Sequence, residues 1–120
     1  MDRIVIVDES PVIGKVAKKI LSDFGFKVIT AESLAQARGY CEADLPSVLV
    51  VDSELDGALD LIADVRSFEG GKDIRIVYSL VEADLKRMMA GRRSGASDFL
   101  LKPFDRASLS NVFEPMKMAA

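Results

Sequence analysis

Five short apolar runs, each followed by a stretch with helical spacing, restrict the possible folds of this chain more than any other feature. The runs are Ile4–Val7, Lys27–Ile29, Val48–Val51, Ile74–Tyr78 and Phe99–Leu101. Three are continuous and rich in Val and Ile, as strands buried on both faces of a parallel sheet must be. Between them apolar residues recur every three or four positions. Val12, Ile13, Val16, Ala17, Ile20, Leu21 and Phe24 form one such stripe, opposite Lys15, Lys18, Lys19 and Asp23. Ser10-Pro11 supplies a cap and a first-turn proline, and Gly25 a stop. Ser33 to Gln36 reads as a capping box for a second helix with Leu34, Ala37 and Cys41 on one face. A third carries Leu61, Ile62, Val65 and Phe68 and closes at Gly70-Gly71; a fourth carries Leu85, Met88 and Met89 towards Gly91, with the methionines read as core. The fifth starts near Asp105 and carries Leu109, Val112, Phe113 and Met116, with Pro115 expected to fray or kink its end. Five strand–helix units without an internal linker predict one α/β domain over residues 1–120.

Composition narrows the chemistry. Of the 120 residues 49% are hydrophobic, enough for a core, and the net charge of −3 argues against a polyanion binder. No run approaches the roughly 20 residues that span a bilayer, and the start runs straight into a strand without a cleavable leader. A soluble, cytoplasmic protein is expected. The single cysteine, Cys41, is expected to be a buried hydrophobe. The chain has no histidine. Histidine metal sites, histidine-assisted nucleophiles and a phosphohistidine on this chain are therefore excluded, so any chemistry must use carboxylates, hydroxyls and lysines.

Such residues stand where the apolar runs end. Asp8 and Glu9 follow the first run, Asp52 the third, Ser79 the fourth, and Lys102-Pro103 the fifth. Open parallel sheets bind ligands beyond the carboxyl ends of their strands. These positions put three carboxylates, a hydroxyl and an ammonium around one crevice. Close carboxylates raise one another's pKa values unless a cation joins them. Hard oxygen ligands suit Mg²⁺, and an ionised Asp52 beside it can attack a phosphoryl group. Lys102 and Ser79 can each address one oxygen of the transferred group. Each residue also has a local alternative: Asp8 and Glu9 at a helix N-terminus, Asp52 as an N-cap, Ser79 to Glu82 as a capping box, Lys102-Pro103 as a turn.

Over its whole length the sequence resembles the response-regulator receiver family. The resemblance rests on Asp8-Glu9-Ser10-Pro11, Val50-Val51-Asp52, Tyr78-Ser79 and the stretch Gly95-Ala96-Ser97-Asp98-Phe99-Leu100-Leu101-Lys102-Pro103-Phe104. It implies a doubly wound five-stranded parallel sheet of order 2-1-3-4-5, with Asp52 as phosphoacceptor and Ser79 and Lys102 assisting. It also implies Mg²⁺ held by Glu9, Asp52 and the Glu54 carbonyl, with Asp8 acting through water, and a cis Lys102-Pro103 peptide. Ser79 and Phe99 would be the switch residues that remodel the face of helix four, strand five and helix five. A histidine kinase or phosphotransfer protein would donate the phosphoryl group, and a downstream protein would read the face. Direct nucleic-acid or membrane contact is not expected; a homodimer on activation is allowed. The chain would be no enzyme beyond catalysing its own aspartyl phosphorylation and dephosphorylation.

Several residues depart from the family pattern. Glu9 stands where Asp is usual, the loop Ser53-Glu54-Leu55-Asp56-Gly57 is short, and Phe99 replaces a common Tyr. Leu80 and Glu54 are expected to restrict access to Asp52 and to slow labelling. The short loop and Leu80 motivate the alternative of a receiver-like interaction module that takes no phosphoryl group. Arg87, Arg92 and Arg93 form a candidate docking patch or a solvated face.

Overall fold

A computed structural model describes residues 2–118, with side chains through Met116. The elements alternate without exception: β1 (Arg3–Val7), α1 (Pro11–Asp23), β2 (Lys27–Ala31), α2 (Leu34–Ala43), β3 (Val48–Asp52), α3 (Ala58–Ser67), β4 (Arg75–Leu80), α4 (Leu85–Ser94), β5 (Asp98–Leu101) and α5 (Arg106–Met118). The five strands form one parallel sheet in the order β2-β1-β3-β4-β5, as the resemblance implies. No described helix is long and apolar enough to cross a membrane.

Strand alternation divides the core in two. Ile4, Ile6, Val48, Val50, Val77 and Leu100 face α1 and α5, where they pack with Leu21, Leu109 and Phe113. Val5, Val7, Leu49, Val51, Ile76, Tyr78 and Leu80 face the other way, packing with Ile62 and Val65 of α3. Leu80 is 1% exposed within this second layer. Its side chain therefore leaves the sheet on the face opposite to that of Ser79, into the second core layer.

The helix ends follow local chemistry in most places. Ser10 accepts a hydrogen bond from the Ile13 N–H and Pro11 opens α1; Ser33 caps α2 through the Gln36 N–H at 3.0 Å. Gly57, at φ 99°, opens α3 in the left-handed region that favours glycine. Helix α5 runs through Pro115 to Met118 rather than fraying there. Four apolar expectations fail: Val12 (68% exposed) and Val16 lie outside the α1 core stripe, and Leu85 (71% exposed) and Met89 (52% exposed) face away from the interior. Helical periodicity marks a side, but its edges are set by how far the neighbouring elements reach. Cys41 is buried, and burial, opposed by the charge of Arg3, pushes its thiol up to about 11.

Helix α4 is the least embedded of the elements that flank the second layer. Gly91 is its one buried residue, and a Cβ there would lie 2.6 Å from the ring of Tyr78. Its C-terminal end is fixed by Arg66 of α3. The Arg66 guanidinium donates to the carbonyls of Gly95 (2.9 Å), Gly71 (2.7 Å) and Ile74 (2.6 Å) and to Ser97 Oγ (2.9 Å). One planar cation thus satisfies the ends of three segments that would otherwise leave carbonyls without partners.

These contacts have measurable consequences. Leu80→Ala should destabilise the protein by about 2–5 kcal/mol, the usual range for a truncated core leucine, read by urea unfolding. Gly91→Ala should cost about 1–3 kcal/mol through overpacking against Tyr78, and unfolding midpoints equal to wild type would show that the ring can yield.

Candidate functional site

The strand face that carries Ile4 and Ile6 continues into Asp8; that of Val48 and Val50 continues into Asp52, that of Val77 into Ser79, and that of Leu100 into Lys102. Side chains repeat every second residue along a strand, so four separate segments deliver their first polar groups to one end of one face. Asp52 and Ser79 are register partners across β3 and β4. Both are wholly buried, and Asp8 nearly so.

Lys102 joins the acids. Its Nζ lies 2.8 Å from Asp52 Oδ1 and 3.3 Å from Asp8 Oδ2. The peptide that follows, Lys102-Pro103, is cis, as the resemblance implies. The Glu9 N–H donates to Asp52 Oδ2 at 3.0 Å and the Glu54 N–H to Asp52 Oδ1 at 3.0 Å. The Ser10 N–H donates to Asp8 Oδ1 at 2.8 Å. Every oxygen of the two buried carboxylates is thereby engaged, which is what makes their burial tolerable.

The charges respond in opposite directions. Burial disfavours ionised Asp52, but Lys102 and the N–H groups of Glu9 and Glu54 outweigh it and hold the carboxyl below its ordinary range. Burial pushes Asp8 up; the Ser10 N–H opposes this, while the neighbouring charge of Asp52 adds to it. Burial lowers the ammonium of Lys102, yet the two acids more than compensate and raise it. Asp52 is therefore the carboxyl whose ionised form is favoured, and Asp8 the acid still short of positive charge. A pair of buried carboxylates sharing one ammonium fits a hard divalent cation as a further partner.

The remaining residues are distributed less simply. Ser79 Oγ donates to the Val51 carbonyl at 3.3 Å and caps no helix; α4 is capped instead by Asp84, which accepts from the N–H groups of Lys86 and Arg87. Asp52 is no N-cap either, since Gly57 holds that place. Glu9 is exposed, and among the described residues no three acidic groups gather as a metal cluster; Glu9 meets the site through its main chain. The Glu54 carboxylate turns to Arg87 of α4, 3.5 Å away, so its charge is partly offset. No sequence signal marks that pair, because the two residues lie on different elements. Phe99 is half-buried in the second core layer, and the Arg92 guanidinium lies 5.2 Å from its ring centre.

Comparison with known proteins agrees with this geometry. The family model of the response regulator receiver domain matches residues 4–114. Chemotaxis protein CheY1 of Helicobacter pylori is 28% identical over 93% of this chain and 94% of its own length. Other curated relatives, at 26% and 31% identity, are matched over only 42% and 59% of their lengths. The structure of chemotaxis protein CheY4 of Vibrio cholerae superposes with a TM-score of 0.89 at 23% identity, covering 96% of this chain and 98% of that one. The receiver domain of sensor histidine kinase PA1611 from Pseudomonas aeruginosa, which holds a magnesium ion in its active-site cleft, does so with a TM-score of 0.84 at 25% identity, covering 95% of each chain. The shared motifs, the strand order and the carboxylate–lysine pocket converge: this chain belongs to the response regulator receiver domain family of two-component signalling.

Proposed function

We propose that this receiver domain accepts a phosphoryl group on Asp52 from a phosphohistidine of a partner kinase or phosphotransfer protein. The observation that carries this reading is the state of Asp52: buried, ionised, and held in one orientation by Lys102 and two main-chain N–H groups. An Asp52 oxygen forms the new bond to phosphorus. The phosphorus–nitrogen bond of the donor breaks, and its electron pair stays on the imidazole. Lys102 then faces the oxygens on which charge collects. Asp52 and the Glu54 carbonyl, with Asp8 through water, would hold Mg²⁺, which would supply charge neutralisation for the phosphoryl oxygens; Glu9 would join them only if its exposed side chain turned inward. This chain is an acceptor that catalyses its own labelling and release, not a turnover enzyme.

Output follows from Ser79 and Phe99. A phosphoryl oxygen is a stronger acceptor than the Val51 carbonyl, so the Ser79 hydroxyl changes partner and Phe99 moves into the space it leaves. The face of α4, β5 and α5 presents Leu85 (71% exposed), Met89 and Leu101 beside Arg92 and Arg93, and a downstream protein docks there. The rival reading, an interaction module that takes no phosphoryl group, rests on Leu80 and the short loop after Asp52; the packing of Leu80 in the second core layer weakens the first of these grounds.

Incubation with acetyl phosphate and Mg²⁺ should add the mass of one phosphoryl group to the intact chain. Asp52→Asn should stay folded and take up none; continued uptake would place the acceptor elsewhere. Asp8 gives a pH-dependent outcome. Its folded pKa lies above the ordinary 3.8, so its contribution to stability is fully present below that value and is lost as pH rises through the raised one. Metal-free Asp8→Asn should therefore melt at a higher temperature than wild type at pH 7, the gain vanishing below pH 3.8. The same variant should bind Mg²⁺ more weakly, as a Mg²⁺ titration would show.

A further inference from the structure

We propose that the Glu54–Arg87 ion pair is a charge-sensitive latch, which holds the N-terminal end of α4 on the β3–α3 loop until Asp52 is phosphorylated. The inference rests on Asp52 being the acceptor and specifies how its charge state reaches α4 in this chain.

The two ends of α4 are held by different means. Near its C-terminal end Arg66 grips the Gly95 carbonyl at 2.9 Å, and Gly91 lies against the Tyr78 ring. At the N-terminal end Leu85 is exposed and Met88 only partly buried. Asp84 caps the helix from within its own segment. Among the described residues, Arg87 Nη1 to Glu54 Oε2, at 3.5 Å, is the ion pair that ties this first turn to another element. The second tie of Arg87, to Asp84 at 3.9 Å, is again local. An exposed ion pair is weak. It matters here because an element that buries little apolar surface opens at small cost.

Glu54 is also the residue nearest in sequence whose main chain grips the acceptor, through its N–H to Asp52 Oδ1 at 3.0 Å. A phosphoryl group carries roughly −1.5 to −2 charge near neutral pH. Placed on Asp52, it repels the Glu54 carboxylate and competes with it for the Arg87 guanidinium. Both effects weaken the same pair. Glu54, Arg87 and Tyr78 border a common cleft of about 500 Å³ between the loop and α4, so the released side chain has room to turn. The state of Asp52 is then converted into freedom of the α4 first turn, in parallel with the Ser79 and Phe99 movement.

Hydrogen exchange of the Met88 to Gly91 amides, read by NMR, tests the latch. In unphosphorylated protein Glu54→Gln and Arg87→Gln should each speed exchange about two- to fivefold. The double variant should exceed neither single one, because both remove the same pair. Single variants with wild-type exchange would overturn the latch, and this arm needs no phosphoryl group. In the second arm, acetyl phosphate and Mg²⁺ should raise wild-type exchange to the level of the variants while leaving the variants unchanged at these amides. Slow exchange in wild-type protein whose mass shows full phosphorylation would overturn the charge-sensing role. A wild-type chain that gains no phosphoryl mass would instead refute Asp52 as acceptor, and the sensing role with it; the mass measurement tells the two failures apart.

Discussion

An ammonium shared by two buried carboxylates is the interaction on which the site depends. Asp8 and Asp52 come from different strands and would repel each other in the dry end of the sheet. Lys102, reaching from β5, lies within 3.3 Å of both and makes their proximity sustainable. Removal of Lys102 would leave two buried like charges uncompensated, which is costlier than loss of all three groups. The arrangement is also unfinished. Asp52 is satisfied, but Asp8 remains pushed up by burial and by its neighbour, so the pocket stays short of positive charge.

The sheet provides the geometry without any special device. Strands β1, β3, β4 and β5 each carry apolar side chains to the α1–α5 layer and then, two residues on, a polar residue on the same side. Since all the strands are parallel, these final residues share one edge. The period that builds the core thus also assembles the pocket, and a one-residue slip in any strand would send its polar group into the opposite layer.

This explains what could be read from the sequence. The strand positions, the layer order and the convergence of Asp8, Asp52, Ser79 and Lys102 follow from alternation and from the ends of apolar runs, both of which are local patterns. What escaped reading depends on distances between elements. Leu80 was expected beside the acceptor, but it is one residue beyond Ser79 and alternation sends it to the other face. Val12, Val16 and Met89 lie at the margins of apolar stripes, where only the neighbours' positions decide burial. Ser79 to Glu82 matched a capping box, yet β4 continues to Leu80 and Asp84 takes the cap. The main-chain role of Glu9 and the pairing of Glu54 with Arg87 leave no trace in spacing.

The Arg66 hub has a mechanical corollary. By clamping Gly95 together with the segments that enter β4 and β5, it turns the far end of α4 into a fulcrum. A helix of ten residues is about 15 Å long, so a tilt of roughly 10° about that fulcrum displaces its opposite tip by about 2.6 Å. Leu85 rides near that tip and Arg93 beside the pivot. Motion of α4 would accordingly be a lever stroke graded along its length, largest over the apolar end of the proposed docking face and almost nil over its basic end.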